Sequence, residues 1–240
     1  MLFLITLSGV AIAAGGIACI AGFGIGSLLT PVLALKCSAG VAVAGVSIAH
    51  LLGTAVRFWR WKQHVDVQVL RSFGITSAIG GLIGAAFHNI FPDGILITVF
   101  GLLLIFAGLS GVSGLSEQMR FSGPLAWIAG ALSGVFGGMV GNQGGIRSAA
   151  LLGFDLQGKA FVATATAIAL IIDIVRMPVY LMTQAQDIVR IWPLIAIASV
   201  GVLIGTEIGI WAMGKIPAKA FKKTVSALIL VIGVIVLINR

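Results

Sequence analysis

The sequence has very few charged residues: among 240 residues, 15 are Lys or Arg and 7 are Asp or Glu, together 9%. A soluble domain carries roughly a quarter charged residues, so this inventory cannot cover a water-exposed surface. Hydrophobic residues make up 59% of the chain, and the mean hydropathy is +1.16. These values exclude a soluble globular protein and predict an integral membrane protein.

Cysteine is nearly absent, with only Cys19 and Cys37 in the chain. The two form neither a CxxC pair nor a metal-ligating group with nearby histidines. We therefore expect inert packing cysteines, no metal and no cofactor. The absence of a CxxC pair and of a soluble docking domain also argues against a redox-relay or assembly partner that performs no transport.

Acidic residues are scarcer than basic ones, which gives a net charge of +8. The basic residues lie in short clusters between apolar stretches, so they indicate membrane topology and no nucleic-acid partner. The expected partners are the lipid bilayer and a small anionic substrate. The oligomeric state stays open, a homodimer being one option.

Long apolar segments fill most of the chain and are separated by charged and turn residues. They fall at about 1–35, 40–62, 69–91, 94–115, 123–154, 159–183, 189–213 and 218–239. Segments of this length and composition predict an all-α integral membrane protein.

The eight segments form two sets of four. A shift of 119 residues superimposes Arg57 on Arg176 and Arg71 on Arg190, in phase with several glycines, and a slip of about six residues follows Arg71. Arginine occurs only eight times, so two matches in register are informative. We predict two repeats of about 120 residues, 1–115 and 116–240.

The opening segment of each repeat is too long for one crossing. Residues 1–35 as one helix would span about 52 Å, against roughly 30 Å of hydrocarbon. Glycine-rich breaks at Gly22–Ser27 and Gly137–Gly145 predict two half-depth helices that meet at a tip and do not cross. Three true crossings would remain in each repeat, and this odd number would make the repeats inverted.

The basic residues discriminate between the two topologies. With Arg147 set aside inside a broken segment, eight full crossings divide the other Lys and Arg 8 against 6, whereas re-entrant opening segments divide them 10 against 4. The positive-inside rule favours the second topology. It puts both termini on the outer side of the membrane, which we expect to be the bacterial cytoplasmic membrane.

Irregular backbone at membrane depth requires a cavity or protein around it, so the two breaks predict a shared central site. Half-helix N-termini favour an anion there. The predicted substrate-binding residues at the breaks and on neighbouring helices are Gly24, Gly26, Ser27, His50, Arg57, Asn142, Gln143, Gly144, Gly145, Arg147 and Arg176. The alternative is that the glycines only permit tight helix crossing.

Ionisable residues predicted to lie deep within the apolar segments add candidates for proton coupling, Asp173 and Glu207. Each has a structural alternative: Asp173 could neutralise Arg176 three residues later, and Glu207 could pair with a nearby arginine. His50 could be a hydrogen-bonded packing residue, and Arg147 could extend to the interface.

The chain resembles the TauE/SafE family of sulfite and organosulfonate exporters over most of both halves. The likeness is carried by Ala21-Gly22-Phe23-Gly24-Ile25-Gly26 with Thr30-Pro31, by Val65-Asp66 after the basic loop, and by Leu156 to Thr166. The resemblance implies transport of sulfite, sulfoacetate, other organosulfonates or related carboxylates across the cytoplasmic membrane.

Two other functions are weighed against anion export. Ser110 and Ser113 lie in GxSG sequences like those of rhomboid proteases, but all three histidines precede them, whereas rhomboids place the histidine on a later helix. We therefore expect no enzyme. Proton- or cation-coupled uptake of an organic anion is the stronger rival, because Asp173, Glu207, Asn142, Gln143 and Ser27 offer oxygen ligands.

Overall fold

The computed structural model describes residues 1–87, 90–118, 123–140, 144, 147, 151, 154, 156, 158–212 and 218–238. In this part of the chain the regular structure is entirely helical, as predicted. The helices are α1 Leu2–Ala21, α2 Ile25–Ala34, α3 Ala39–Trp61, α4 Val67–Phe87, α5 Asp93–Ser113, α6 Leu115–Gln118, α7 Pro124–Val140, α8 Gly158–Arg190, α9 Trp192–Ala212 and α10 Ala218–Ile238.

Six helical stretches in the described residues are long and apolar enough to cross a membrane. They are Leu2–Ile20, Ala39–His64, Val67–Phe87, Gly94–Ser113, Lys159–Arg190 and Trp192–Ala212. The prediction of a multi-pass helical membrane protein is therefore confirmed.

The first apolar segment is broken where the glycines predict. Gly22 ends α1 with φ 77° and Gly24 precedes α2 with φ 138°, backbone conformations that side chains rarely adopt. The two pieces are unequal, because α1 has 20 residues and α2 only 10. At 1.5 Å per residue α1 is about 30 Å long, so it is longer than the expected half-depth helix.

Asp66 caps the start of α4 and links it to α8. The Asp66 carboxylate accepts a hydrogen bond from the Val69 N–H at 3.0 Å and so caps α4. The Asp66 N–H donates to Thr164 Oγ1 of α8 at 2.9 Å. Leu70–Gly74 within α4 is a π-helical turn.

The predicted break at 184–187 coincides with a kink in α8. Gln184 has non-helical angles, φ −134° and ψ 21°, so Gly158–Arg190 consists of two helices that join at this residue. The interruption therefore falls where the polar stretch Gln-Ala-Gln-Asp predicts it, although helical structure resumes directly after Gln184 and continues to Arg190.

Glycines bring α1 against α9 and α7 against α4. A Cβ added at Gly205 would lie 1.9 Å from the Ile12 carbonyl oxygen, and one added at Gly80 would lie 2.2 Å from the Ala131 carbonyl oxygen. Ala131 follows Ile12 by 119 residues, and Gly205 follows Gly80 by 125, which is the same offset with a slip of six. The two contacts are equivalent.

A second pair of contacts repeats the same relation. A Cβ at Gly15 would lie 2.3 Å from the Val202 carbonyl oxygen, and one at Gly134 would lie 2.1 Å from the Ser77 carbonyl oxygen. Glycines inside these helices therefore allow close helix crossing. Gly22 and Gly24 differ, since their positive φ angles are what breaks the chain.

Two further pairs of helices pack against each other. α3 lies against α8, and α5 lies against α10. Thr54 of α3 and Asp173 of α8, which are 119 residues apart, meet where these two helices cross, and buried charged residues lie there.

Candidate functional site

A hydrogen-bonded carboxylate lies at the crossing of α3 and α8. Asp173 Oδ2 is 2.6 Å from His50 Nδ1, and Asp173 Oδ1 accepts a hydrogen bond from Arg176 Nη2 at 2.7 Å. Thr54 Oγ1 lies 3.3 Å from Asp173 Oδ2 and donates to the His50 carbonyl oxygen at 2.8 Å. Asp173 is completely buried. A carboxylate in such a place is tolerated because it is paired and hydrogen-bonded.

Arg176 also stabilises the end of α7. Arg176 Nη1 donates to the Gly137 carbonyl oxygen, and the Tyr180 hydroxyl donates to the Gly138 carbonyl oxygen. The last carbonyls of a helix have no intrahelical partner, and a cation or donor placed there compensates for them. Arg176 and Tyr180 therefore satisfy carbonyl oxygens in the last turn of α7. Gly137 and Gly138 are helical here, so the predicted start of the second break at Gly137 is wrong, and the rest of that predicted break lies mostly outside the described residues.

Arg57 lies 119 residues before Arg176, at the offset of the predicted repeat. It is buried on α3, one helical turn before Trp61, which packs beside Cys19 near the end of α1. Cys19 Sγ donates to the Thr206 carbonyl oxygen of α9 at 3.3 Å. Position 54, three residues before Arg57, is a threonine where the second half has Asp173, so Arg57 has no acid on its own helix turn.

Arg147 contacts the first break. Its Nη2 donates to the Gly22 carbonyl oxygen at 3.2 Å, and a Cβ added at Gly144 would lie 2.3 Å from Phe23 Cβ. The Arg147 side chain is 1% exposed, so it does not extend to an interface. The structural alternative considered for Arg147 is therefore wrong.

Positive charge exceeds negative charge at this place. Arg57, Asp173 and Arg176 all lie within electrostatic range of Arg147. Three buried guanidinium groups thus face one buried carboxylate within the described residues. Nε and Nη1 of both Arg57 and Arg147 have no hydrogen-bond partner in the described part of the chain. Uncompensated buried donors and charges are costly, and an oxyanion supplies what both lack.

The predicted site residues fall into three groups. His50, Arg57, Arg147, Asp173 and Arg176 come together as described. Gly24, Gly26 and Ser27 are buried at the start of α2, and Gly144 is buried against Phe23. Asn142, Gln143 and Gly145 lie outside the described residues.

Glu207 does not join this cluster. Its carboxylate pairs with Arg60 at 3.0 Å, and both side chains are about half exposed, 52% and 53%. This is the arginine pairing that was the structural alternative for Glu207. The Asp173–Arg176 pair at the predicted spacing of three is also present.

Three site residues were not predicted from sequence: Thr54, Tyr180 and Cys19. Thr54 and Asp173 are 119 residues apart and touch each other, so the repeat offset was a usable signal for Thr54. Tyr180 is the only tyrosine in the chain, lies four residues after Arg176 and is fully buried. The partners of Cys19 lie on α3 and α9, where no local pattern reveals them.

The GxSG sequences of α5 serve helix packing. A Cβ at Gly108 would lie 2.6 Å from Leu230 Cβ, and one at Gly111 would lie 2.0 Å from Ser226 Oγ, both on α10. The Ser113 hydroxyl donates to its own helix, to the Leu109 carbonyl oxygen at 2.6 Å. Within the described residues, no group of three or more His, Cys, Asp or Glu side chains is placed to hold a metal ion.

Comparison with known proteins agrees with this architecture. No curated protein and no solved structure matches the chain. The family model described as "Sulfite exporter TauE/SafE" matches residues 7–236, nearly the whole sequence. The chain therefore belongs to the TauE/SafE sulfite exporter family, a family of membrane transporters and not of enzymes.

Proposed function

We propose that the protein exports a small sulfur-containing or organic anion, such as sulfite, sulfoacetate or another organosulfonate, and binds it between the two glycine breaks. The observation that carries this proposal is the excess of buried positive charge around Gly22. Arg57, Arg147 and Arg176 are each at most 2% exposed, and Asp173 is the one buried acid within the described residues.

Arg57 and Arg147 are the proposed anion ligands. Both retain two nitrogens without a partner in the described part of the chain, and each of these charged N–H donors can bind an oxygen of a sulfonate or sulfite. Arg176 Nη1 already donates to the Gly137 carbonyl oxygen and Nη2 to Asp173, so we assign Arg176 the role of holding the second break in position. His50 fixes Asp173 from the opposite side.

Re-entrant segments and an inverted repeat complete the proposal. Lys36 Nζ lies 5.2 Å above the Phe3 ring, which supports a return of the chain after Gly22–Gly24 toward the end at which α1 begins. Leu151 and Phe154 pack with Ala129, near the start of α7, which indicates the same return in the second half. Gly144, Arg147 and Leu151 have helical backbone. They lie 119 residues after Ile25, Leu28 and Val32, which all belong to α2.

The charge distribution favours the same topology more strongly once the buried arginines are set aside. Arg57 and Arg176 are buried, so neither reports on a loop. Removing them leaves nine Lys and Arg against three for the re-entrant topology, and six against six for eight full crossings. The proposed cytoplasmic face holds the loop after α3 and the start of α10.

Electrical driving force supports export. An inside-negative potential drives each negative charge outward by about 2.3 kcal/mol per 100 mV, so an anion carrier in the bacterial cytoplasmic membrane needs no coupling ion for export. Import of the same anion would require cotransported cations.

Proton-coupled uptake is the second candidate, favoured by one observation. The buried contact between His50 and Asp173 joins two groups that can exchange a proton. Glu207 is not used in this alternative, because Arg60 already pairs with it at an exposed position.

Efflux of labelled sulfite from proteoliposomes at a clamped potential tests the proposal and separates the two candidates. Export requires efflux that rises as the interior becomes more negative, and Arg57→Gln should abolish it. Arg190→Gln is the control, since Arg190 is 83% exposed and pairs only loosely with Asp187. Flux that ignores the potential and follows an imposed pH gradient would favour proton coupling. Absence of flux with sulfite, sulfoacetate, taurine and thiosulfate would contradict both candidates.

A further inference from the structure

Cys19 lies in unusual surroundings for a packing cysteine. It is fully buried in α1, three residues before Gly22. Its thiol donates to the Thr206 carbonyl oxygen at 3.3 Å. Apolar side chains, among them Trp61 and Val162, also pack around it, as an inert packing role predicts. The unusual feature is a buried cation nearby, because Arg57 lies one helical turn before Trp61 on α3.

Polar groups around the thiol have unused hydrogen-bonding capacity. Arg57 Nε and Nη1 have no partner within the described residues, and neither does Thr206 Oγ1. Arg57 is 2% exposed and Thr206 is 0% exposed, so bulk water does not satisfy them. Buried donors of this kind are costly unless a ligand pairs with them.

In the second half of the chain, side chains form hydrogen bonds with the corresponding helix end, so no ligand is needed there. Position 138 is 119 residues after Cys19, and there the Tyr180 hydroxyl and the Arg176 guanidinium cap the end of α7. The residue equivalent to Tyr180 is Trp61, which packs beside Cys19 and has no hydroxyl to offer. Arg57 also lacks a carboxylate partner like the one that Asp173 provides for Arg176. The first half therefore keeps an uncompensated guanidinium near the Cys19 thiol.

We propose that the Cys19 thiol forms part of the wall of the anion site beside Arg57, and that a thiol-reactive sulfonate binds there and blocks transport covalently. This inference rests on the proposed function, because the sulfonate group would occupy the place of the substrate anion. During transport the anion site must open to each side of the membrane in turn. The buried Cys19 thiol then becomes accessible to a reagent that enters along the substrate route.

Sulfonatoethyl methanethiosulfonate supplies both groups in one small molecule. The Cys19 thiol loses its proton to buffer, and the thiolate attacks the sulfenyl sulfur of the reagent. A Cys19–S–S–ethylsulfonate bond forms as the S–SO₂ bond breaks, and methanesulfinate leaves with the electron pair. No oxidant or reductant is needed.

The experiment uses the full chain with Cys37→Ser, purified and reconstituted, so that Cys19 is the one thiol. Cys37 lies after α2 and donates to the Leu33 carbonyl oxygen, away from Arg57, and its replacement should leave transport unchanged. We expect the sulfonate reagent to inactivate transport and to add its mass to Cys19. Trimethylammonioethyl methanethiosulfonate, the cationic counterpart, should react about tenfold to a thousandfold more slowly because of the local positive field.

Protection by sulfoacetate is the decisive comparison, because sulfite would itself attack the reagent and cleave the mixed disulfide. Saturating sulfoacetate should slow labelling by the sulfonate reagent, and a variant with Cys19→Ala should resist inactivation at whatever rate it transports. Equal rates for the two reagents, or no adduct on Cys19 in folded protein, would overturn the inference. If sulfoacetate binds in an independent titration but gives no protection, the inference fails and the proposed function stands. If none of sulfite, sulfoacetate, taurine and thiosulfate binds, the proposed function itself fails.

Discussion

Replacing Arg147 removes a proposed anion ligand that also contacts the first break. Arg147→Gln keeps an amide able to donate to the Gly22 carbonyl oxygen, so the 3.2 Å contact between residue 147 and this break has a substitute. The variant deletes the positive charge and the unpartnered Nε and Nη1. It therefore isolates the binding role of Arg147 from its structural role.

The expected loss follows from the number of hydrogen bonds. A hydrogen bond to a charged group contributes about 1.5–3 kcal/mol, and two such bonds act on one bidentate anion. Relief of repulsion with Arg57 and Arg176 in the unliganded protein offsets part of this. A net loss of about 2–4 kcal/mol weakens sulfite binding roughly 30-fold to 700-fold.

Equilibrium binding of labelled sulfite to purified variants measures this change. The thermal stabilisation that sulfite gives the wild type should shrink in parallel, since stabilisation depends on the ratio of ligand concentration to Kd. Arg190→Gln serves as the matched control and should bind like the wild type. If folded Arg147→Gln binds sulfite within about twofold of the wild type, Arg147 is not an anion ligand and the reasoning is refuted.

Three further predictions concern packing, coupling and topology. Gly205→Ala should lower the melting temperature by several degrees, because its Cβ would lie 1.9 Å from a carbonyl oxygen of α1. The control Gly9→Ala should leave it unchanged, since nothing lies within 4 Å of a Cβ there. Equal melting temperatures for the two variants would contradict this prediction. Glu207→Gln should keep potential-driven efflux, because an exposed pair contributes at most about 1 kcal/mol; loss of efflux would implicate Glu207 in coupling. Single cysteines at His64 and Gln184 should be labelled from opposite sides of the membrane, and labelling from one side would exclude the proposed topology.

The sequence allowed the helical segments and the first break to be predicted because the signals are local. Uninterrupted apolar runs define the segments, and the pair Gly22 and Gly24 has positive φ angles that only glycine adopts easily. The predicted slip of six residues after Arg71 is matched by the equivalent contacts of Gly80 and Gly205. That α1 would be twice as long as α2 was not predictable, because both are apolar throughout.

The site was only partly predictable because its contacts join distant helices. Asp173 and Arg176 are three residues apart, so helix geometry alone indicates their pairing. His50 lies 123 residues from Asp173, and no spacing rule connects them. Glu207 was misjudged as deep because α9 is apolar on all sides and gives no indication of which face a side chain occupies.

The location of the bound anion is the central claim, and an anomalous-diffraction experiment tests it most directly. Selenite has the shape and charge of sulfite and carries a strong anomalous scatterer. The account predicts one anomalous peak at about hydrogen-bonding distance from the guanidinium groups of Arg57 and Arg147, near 3–4 Å from their nitrogens, and no such peak in Arg147→Gln. A peak confined to the exposed basic residues at the ends of the helices, with none beside Arg57 and Arg147 at saturating selenite, would contradict it.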